Sequence, residues 1–152
     1  MIVSAVFLLA SGFLAFYAKA VELGSTNFYA YYRLAALTWR PNADADSLTA
    51  VKKSLEQSVA LNDRFGNAFA LLGEVRARLH EPEEALTAAT RAVSLDGRSV
   101  WHRLSLARVL WGISRPDQAV TEARQALTIA RGDNERKAAQ ELIDFFEKNR
   151  RP

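Results

Sequence analysis

Residues 64–97, RFGNAFALLGEVRARLHEPEEALTAATRAVSLDG, run straight into residues 98–131, RSVWHRLSLARVLWGISRPDQAVTEARQALTIAR, and the second stretch echoes the first at an offset of 34 residues. Leu72 recurs as Leu106, Gly73 as Ala107, Pro82 as Pro116, Ala85 as Ala119, Ala89 as Ala123, Ala92 as Ala126 and Leu95 as Ile129. Each stretch reads as two helices: about 66–79 and 82–95, then 99–113 and 116–130. Pro82 and Pro116 suit a first helical position, where a missing amide costs nothing. Glu83, Glu84 and Asp117 then face the positive end of their helices. Two helices approach closely only where side chains are short, and Gly73, Ala85, Ala92, Ala107, Ala119 and Ala126 supply those places. Phe69, Leu72, Leu95, Leu104, Leu106 and Ile129 fill the remaining space at interior density. One hairpin cannot cover its own apolar face, so neighbours stack and a final helix closes the end.

Working outward, residues 24–63 read as a related hairpin. Ser25, Thr26 and Asn27 offer cap oxygens, and a first helix carries Tyr31, Leu34, Ala35 and Thr38 before ending ahead of Pro41. A second helix spans about 47–61, with Val51, Leu55, Ser58 and Leu61 on one side. Leu34 lies 38 residues before Leu72, whereas Val51 lies 34 before Ala85, so a four-residue insertion falls in the loop around Pro41. Loops absorb insertions at little entropic cost. Gly24, Gly97 and Gly132 each follow a second helix, where a left-handed residue is expected. Asp133 or Asn134 is expected to cap a last helix reaching about Asn149, with Ala138, Ala139, Leu142, Phe145 and Phe146 as its apolar stripe.

Residues 2–18, IVSAVFLLASGFLAFYA, form an uncharged run of 17. It has the apolar centre of an export signal, with Ala18-Lys19-Ala20 as a small-x-small cleavage site, but no basic head. As a membrane anchor it falls at the short end of the roughly 17–25 residues needed to span. It also reads as the tail of a preceding repeat, since Ala18–Gly24 parallels Arg91–Gly97. With no polar face, this segment needs cover from lipid, protein or a second copy of the chain. Exported, membrane-associated and cytoplasmic locations all remain open at this point.

The chain has 152 residues, a net charge of +3, 49% apolar and 24% charged residues, which are proportions of one globular domain or a short repeat array. Basic and acidic residues interleave, so no nucleic-acid partner is expected; that would need positive charge gathered on one face. The absence of cysteine excludes disulfides, thiolate metal sites and cysteine nucleophiles. His80 and His102 have no carboxylate or second histidine at ligand spacing, and no phosphate loop, nucleophile elbow or His-Glu-x-x-His pair occurs. No catalytic residue, metal or cofactor is expected.

Phe69, Leu72, Gly73, Ala85, Ala92, Leu95 and Asp96 in one unit, with Leu106, Ala107, Ala119, Ala126 and Ile129 in the next, resemble the tetratricopeptide repeat (TPR) family. The resemblance covers residues 25–131 well and extends to 132–149 as a capping helix. Arg76 and Leu110 stand where the family usually has tyrosine; Asp63, Gly97 and Arg131 stand in place of its closing proline. The resemblance implies an all-α, right-handed superhelical array of antiparallel helix hairpins. Its segments are an N-terminal helix (1–23), three units (24–63, 64–97 and 98–131) and a capping helix with tail (132–152).

It further implies a groove lined by first helices that holds an extended or helical peptide. By position, Tyr29, Tyr32, Arg33, Trp39 and Arg40 face that groove in the first unit. Asn67, Ala70, Glu74 and Arg78 do so in the second, and Trp101, Leu104, Arg108 and Trp111 in the third. Trp111, equivalent in repeat position to Trp39, is the expected anchor, because tryptophan and arginine dominate binding hot spots; packing beneath the last helix is its competing role. The lysines and asparagines with which chaperone-adaptor TPR proteins grip a terminal carboxylate are not at the comparable positions. The expected function is a non-catalytic interaction scaffold for a protein or peptide partner. The alternative is a structural C-terminal appendage of a larger secreted or membrane-bound protein, and self-association through residues 2–18 is a further possibility.

Overall fold

The computed structural model describes the backbone of residues 2–150 and the side chains of residues 12–150. The described residues form eight α-helices and no strand: α1 Ile2–Glu22, α2 Phe28–Thr38, α3 Ala45–Leu61, α4 Gly66–Arg78, α5 Pro82–Leu95, α6 Val100–Gly112, α7 Pro116–Ile129 and α8 Asp133–Asn149. The chain divides into two compact units, Met1–Asp63 and Arg64–Pro152.

In the first unit α2 and α3 form a hairpin and α1 packs on α2. Asn27 caps α2, its Oδ1 accepting from the Tyr29 amide at 2.9 Å, as an asparagine ahead of a helix should. Asp44 caps α3 by accepting from the Ser47 amide at 2.7 Å. That bond holds the Asp44 carboxyl below its usual range, because only the ionised form accepts fully. The insertion around Pro41 is shared between the loop and α3, which begins at Ala45 rather than Ser47. The buried stripe of α3 is Leu48, Val51, Leu55 and Ser58; Leu61, expected inside, is 40% exposed. Ser58 is fully buried, and its hydroxyl donates to the Phe28 carbonyl at 2.9 Å, tying α3 to the start of α2.

Most of the expected cover for residues 2–18 concerns side chains 2–11, which lie outside the described residues. Of those described, Phe13 and Phe16 are exposed. Among the described residues, no helix is long and apolar enough to cross a membrane.

The second unit holds the hairpins α4–α5 and α6–α7, with α8 against α6 and α7. Ala85, Ala92, Ala107, Ala119 and Ala126 are all fully buried. At Gly73 an added Cβ would sit 3.0 Å from the Ala85 carbonyl oxygen and 3.1 Å from the Ala89 Cβ. The α4–α5 crossing is therefore set by the missing side chain. Larger residues close the core: Leu72, Val75, Leu104, Val109 and Phe146 are buried almost completely. Each side chain of this kind stabilises by roughly 1.5–3 kcal/mol relative to exposure.

Helix ends differ from expectation in two ways. The left-handed residues of the second unit are not Gly97 and Gly132 but His80 (φ 59°) and Ser114 (φ 62°), which end the first helices; Gly24 is left-handed as expected. His80 donates its amide to Ala77 O at 3.3 Å and Glu81 to Arg76 O at 3.0 Å; Ser114 and Arg115 repeat the pair onto Trp111 O and Leu110 O. This is the paired-bond helix ending that normally favours glycine, here followed at once by Pro82 and Pro116. Gly132 instead precedes α8 with φ −94°. Neither Asp133 nor Asn134 caps α8: the Glu135 carboxylate reaches back to the amides of Arg131 (2.9 Å) and Gly132 (3.2 Å). Those bonds, the Arg131 one first, hold Glu135 below its usual range. The buried stripe of α8 is Ala139, Ile143 and Phe146, while Phe145 is exposed.

Candidate functional site

The first helices of the second unit, α4 and α6, lie side by side, and several expected groove residues meet across their seam. His102 Nε2 lies 2.9 Å from Asn67 Oδ1, so the ring donates when that oxygen faces it. The His102 ring is buried beside Gly66, where an added Cβ would lie 2.6 Å from His102 Cε1. Its Nδ1 is buried without a partner among the described residues. Further along the seam, Glu74 accepts from the Ser105 hydroxyl and from Arg108 Nη1, the latter at 3.3 Å. Asn67, Glu74 and Arg108 are thus bonded to neighbours, with the Arg108 side chain still 42% exposed. Arg78 is exposed at the end of α4. Ala70 and Leu104, placed on the groove side by the resemblance, are buried.

The tryptophans separate. Trp111 stacks on Phe146, with ring centroids 4.6 Å apart and planes at 14°, and meets Phe145 edge-on at 6.0 Å. The expected anchor therefore packs beneath α8, its competing role. Trp101, in the first turn of α6, is 51% exposed. It flanks an open depression of about 710 Å³ whose other wall is Arg131 to Glu135.

In the first unit, Tyr29 is exposed and its ring lies 5.9 Å from that of Tyr32. Burial, reinforced by Tyr29, raises the Tyr32 hydroxyl above its ordinary pKa. The Arg33 guanidinium sits over the Tyr17 ring at 5.8 Å, linking α2 to α1. Trp39 is the C-cap of α2 and is half-buried, so its sequence equivalence to Trp111, inside α6, is not an equivalence of helix geometry. Arg40 folds back onto the carbonyls of Leu37 (3.0 Å) and Trp39 (2.7 Å), which closes the helix end.

Among the described residues no group of three or more acidic or histidine side chains is arranged to hold a metal ion. The seam residues His102 and Ser105, missed in the sequence, are the counterparts of Asn67 and Glu74. Their signal is turn spacing along α6, with His102, Ser105 and Arg108 at successive intervals of three.

No protein-family model matches the sequence, and no curated protein matches it. Solved structures do match. TTC0263, a thermophilic TPR protein in Thermus thermophilus, aligns with a TM-score of 0.73 at 20% identity, over 91% of this chain and 75% of that one. YrrB, a TPR protein with an unusual peptide-binding site, aligns at 0.60 and 25% identity over 97% of this chain and 74% of that one. A MamA protein aligns at 0.62 and 25% identity over 76% of this chain, and this chain spans 61% of that protein's length. The fold is that of the TPR proteins, an all-helical scaffold for protein interaction.

Proposed function

We propose that this chain is a non-catalytic interaction module that holds a peptide segment or a partner domain on the faces of its first helices. The observation that carries this reading is the exposure of Tyr29 on α2 and of Trp101 on α6, two large aromatics left outside the cores of their own units. Aromatic and arginine side chains of this kind are the usual anchors of an interface. On this reading Tyr29, Tyr32 and Arg33, with Trp39 beside them, serve the first unit. Arg78, Trp101 and Arg108 make direct contacts in the second, while Asn67 and Glu74 fix the seam. Trp111 and Arg40 support from beneath, holding α8 and the α2 end in place. The peptide-binding site that distinguishes YrrB is in keeping with such a use of this fold.

The test is a peptide-display selection against the intact chain. Affinities are then compared for Tyr29→Ala, Arg78→Ala and Trp101→Ala, with circular dichroism to show that each variant folds. At least a tenfold loss in one or more variants is expected, about 1.4 kcal/mol or more of binding free energy. Selected peptides that bind all three folded variants at full strength would remove the reading. A second reading, self-association through α1, is favoured by the exposed Phe13 and Phe16. Light scattering that gives only a monomer at high concentration would exclude it.

A further inference from the structure

We propose that the edge of the second unit around Trp101, Arg98 and Arg131 is a separate binding surface for an acidic peptide segment carrying an aromatic or aliphatic side chain. This goes beyond the first-helix reading and would stand if that face bound nothing.

Trp101 occupies the repeat position of Asn67, which is tied to His102 of the following hairpin. Trp101 has no such tie and leaves half of its large ring in water. Beside it, two depressions share Arg131 and Glu135. The first, of about 710 Å³, runs from Trp101 along residues 131–135. The second, of about 610 Å³, lies between Arg98 and the end of α7, and is floored by Val100, Ile129 and Ala130. The apolar floor and the indole suit an apolar side chain.

The charges decide what accompanies that side chain. Both acids on this edge are engaged: Asp133 with Arg136 at 2.6 Å, and Glu135 with the amides of Arg131 and Gly132. Two neighbouring arginines are engaged as well: Arg136 also donates to the Arg131 carbonyl, and Arg103 to Glu122, Gln125 and the Gly97 carbonyl. The guanidiniums of Arg98 and Arg131 form no ion pair among the described residues, although Arg131 adds attraction at Glu135. The unmatched charge of this edge is therefore positive and forked, the geometry that takes a carboxylate in two parallel hydrogen bonds. A polyphosphate chain fits less well, because Asp133 and Glu135 line the same depression and no longer basic track continues from it.

The test is a titration of the intact, isotope-labelled chain followed by nuclear magnetic resonance. The probe is a blocked synthetic peptide with glutamates flanking one phenylalanine, compared with the same peptide carrying glutamines. Movement of the Trp101 indole N–H and the Arg98 and Arg131 Nε–H signals is expected, with weaker binding at higher salt. The Arg98→Gln/Arg131→Gln double variant, altered only at exposed side chains, should lose at least tenfold in affinity while its helical spectrum stays unchanged. Four results would overturn the proposal: equal binding of the glutamine peptide, full affinity in the double variant, no saturable shift at millimolar peptide, or a single-stranded oligonucleotide binding these residues more tightly. Shifts confined to Tyr29 or Arg78 would also overturn it, while leaving the first-helix reading standing.

Discussion

Residues 64–97 and 98–131 share one spacing, yet they close their helix crossings differently. In the first hairpin Gly73 lets α4 touch the α5 backbone at the Ala85 carbonyl; in the second, Ala107 stands at that position and is equally buried. The first hairpin has a neighbour on its downstream side, so Glu74 binds Arg108, its own counterpart one repeat later. The second hairpin meets α8 instead, and there Trp111 stacks on Phe146 while Trp101 is left open. One repeat position thus has two fates, set by what stacks against it.

The largest effect expected from this comparison is at the alanines common to both hairpins. Ala85→Glu and Ala119→Glu each place an unpaired carboxylate where no water reaches. Each should cost about 3–5 kcal/mol, enough to unfold a marginal array. Thermal unfolding followed by circular dichroism measures it, and an unchanged midpoint in either variant would break the claim that the two crossings are alike. Next comes Trp111→Ala, which removes the stack beneath α8 and should cost roughly 3 kcal/mol. Hydrogen exchange should then show α8 opening ahead of α4 and α5, because only the second hairpin depends on that helix. The residue exchange at the crossing is smaller. Gly73→Ala gains about 1 kcal/mol of helix propensity but must push a methyl against backbone, a cost of roughly 1–3 kcal/mol. Ala107→Gly loses both propensity and a buried methyl, roughly 1–2 kcal/mol. Both swaps should lower the unfolding midpoint, although each installs the residue the other hairpin uses; a stabilised Gly73→Ala chain would mean that the first crossing is not tight.

What the sequence made legible is what repeats. The 34-residue offset places both prolines at helix starts and every small residue at a crossing, because those positions obey local rules twice over. Features that depend on the non-repeating end were harder to read. In α8, Leu142–Ile143 and Phe145–Phe146 allow two rotations of an apolar stripe, and only the Trp111 stack selects Phe146 over Phe145. Trp111 reads as an anchor by composition, yet its partner lies 35 residues downstream in a helix outside the repeat pattern. Glycine is the usual signal of a left-handed residue, and it points to the wrong places here. The left-handed positions are His80 and Ser114, since the tight turn before Pro82 and Pro116 imposes that geometry whatever residue is present. Replacing either by glycine should therefore relieve strain, stabilising by a few tenths to about 1 kcal/mol after glycine's own entropy is counted. A lower midpoint in both variants would show that the histidine and serine side chains hold their turns by contacts worth more than the strain.

The joints that follow the two hairpins differ in one last respect, and it predicts a pH dependence. At the start of α6 the Ser99 hydroxyl accepts from the His102 amide at 3.3 Å, a bond with no titrating acceptor. At the start of α8 the acceptor is the Glu135 carboxylate, held below the ordinary value of 4.5 by the amides it receives. An unfolded chain binds that proton more readily than the folded one. The stabilisation is therefore complete above the ordinary glutamate range and fades as pH falls through the lowered folded value. Acidification should speed exchange of the Arg131 and Gly132 amides before that of His102, once the intrinsic pH dependence of exchange is divided out. Because Glu135 lies near solvent, the shift in the overall midpoint should be the smallest of those considered. Glu135→Gln should remove the excess sensitivity at the second joint and leave the first unchanged; equal acid sensitivity of the two joints in the native chain would show that Glu135 does not govern the entry to α8.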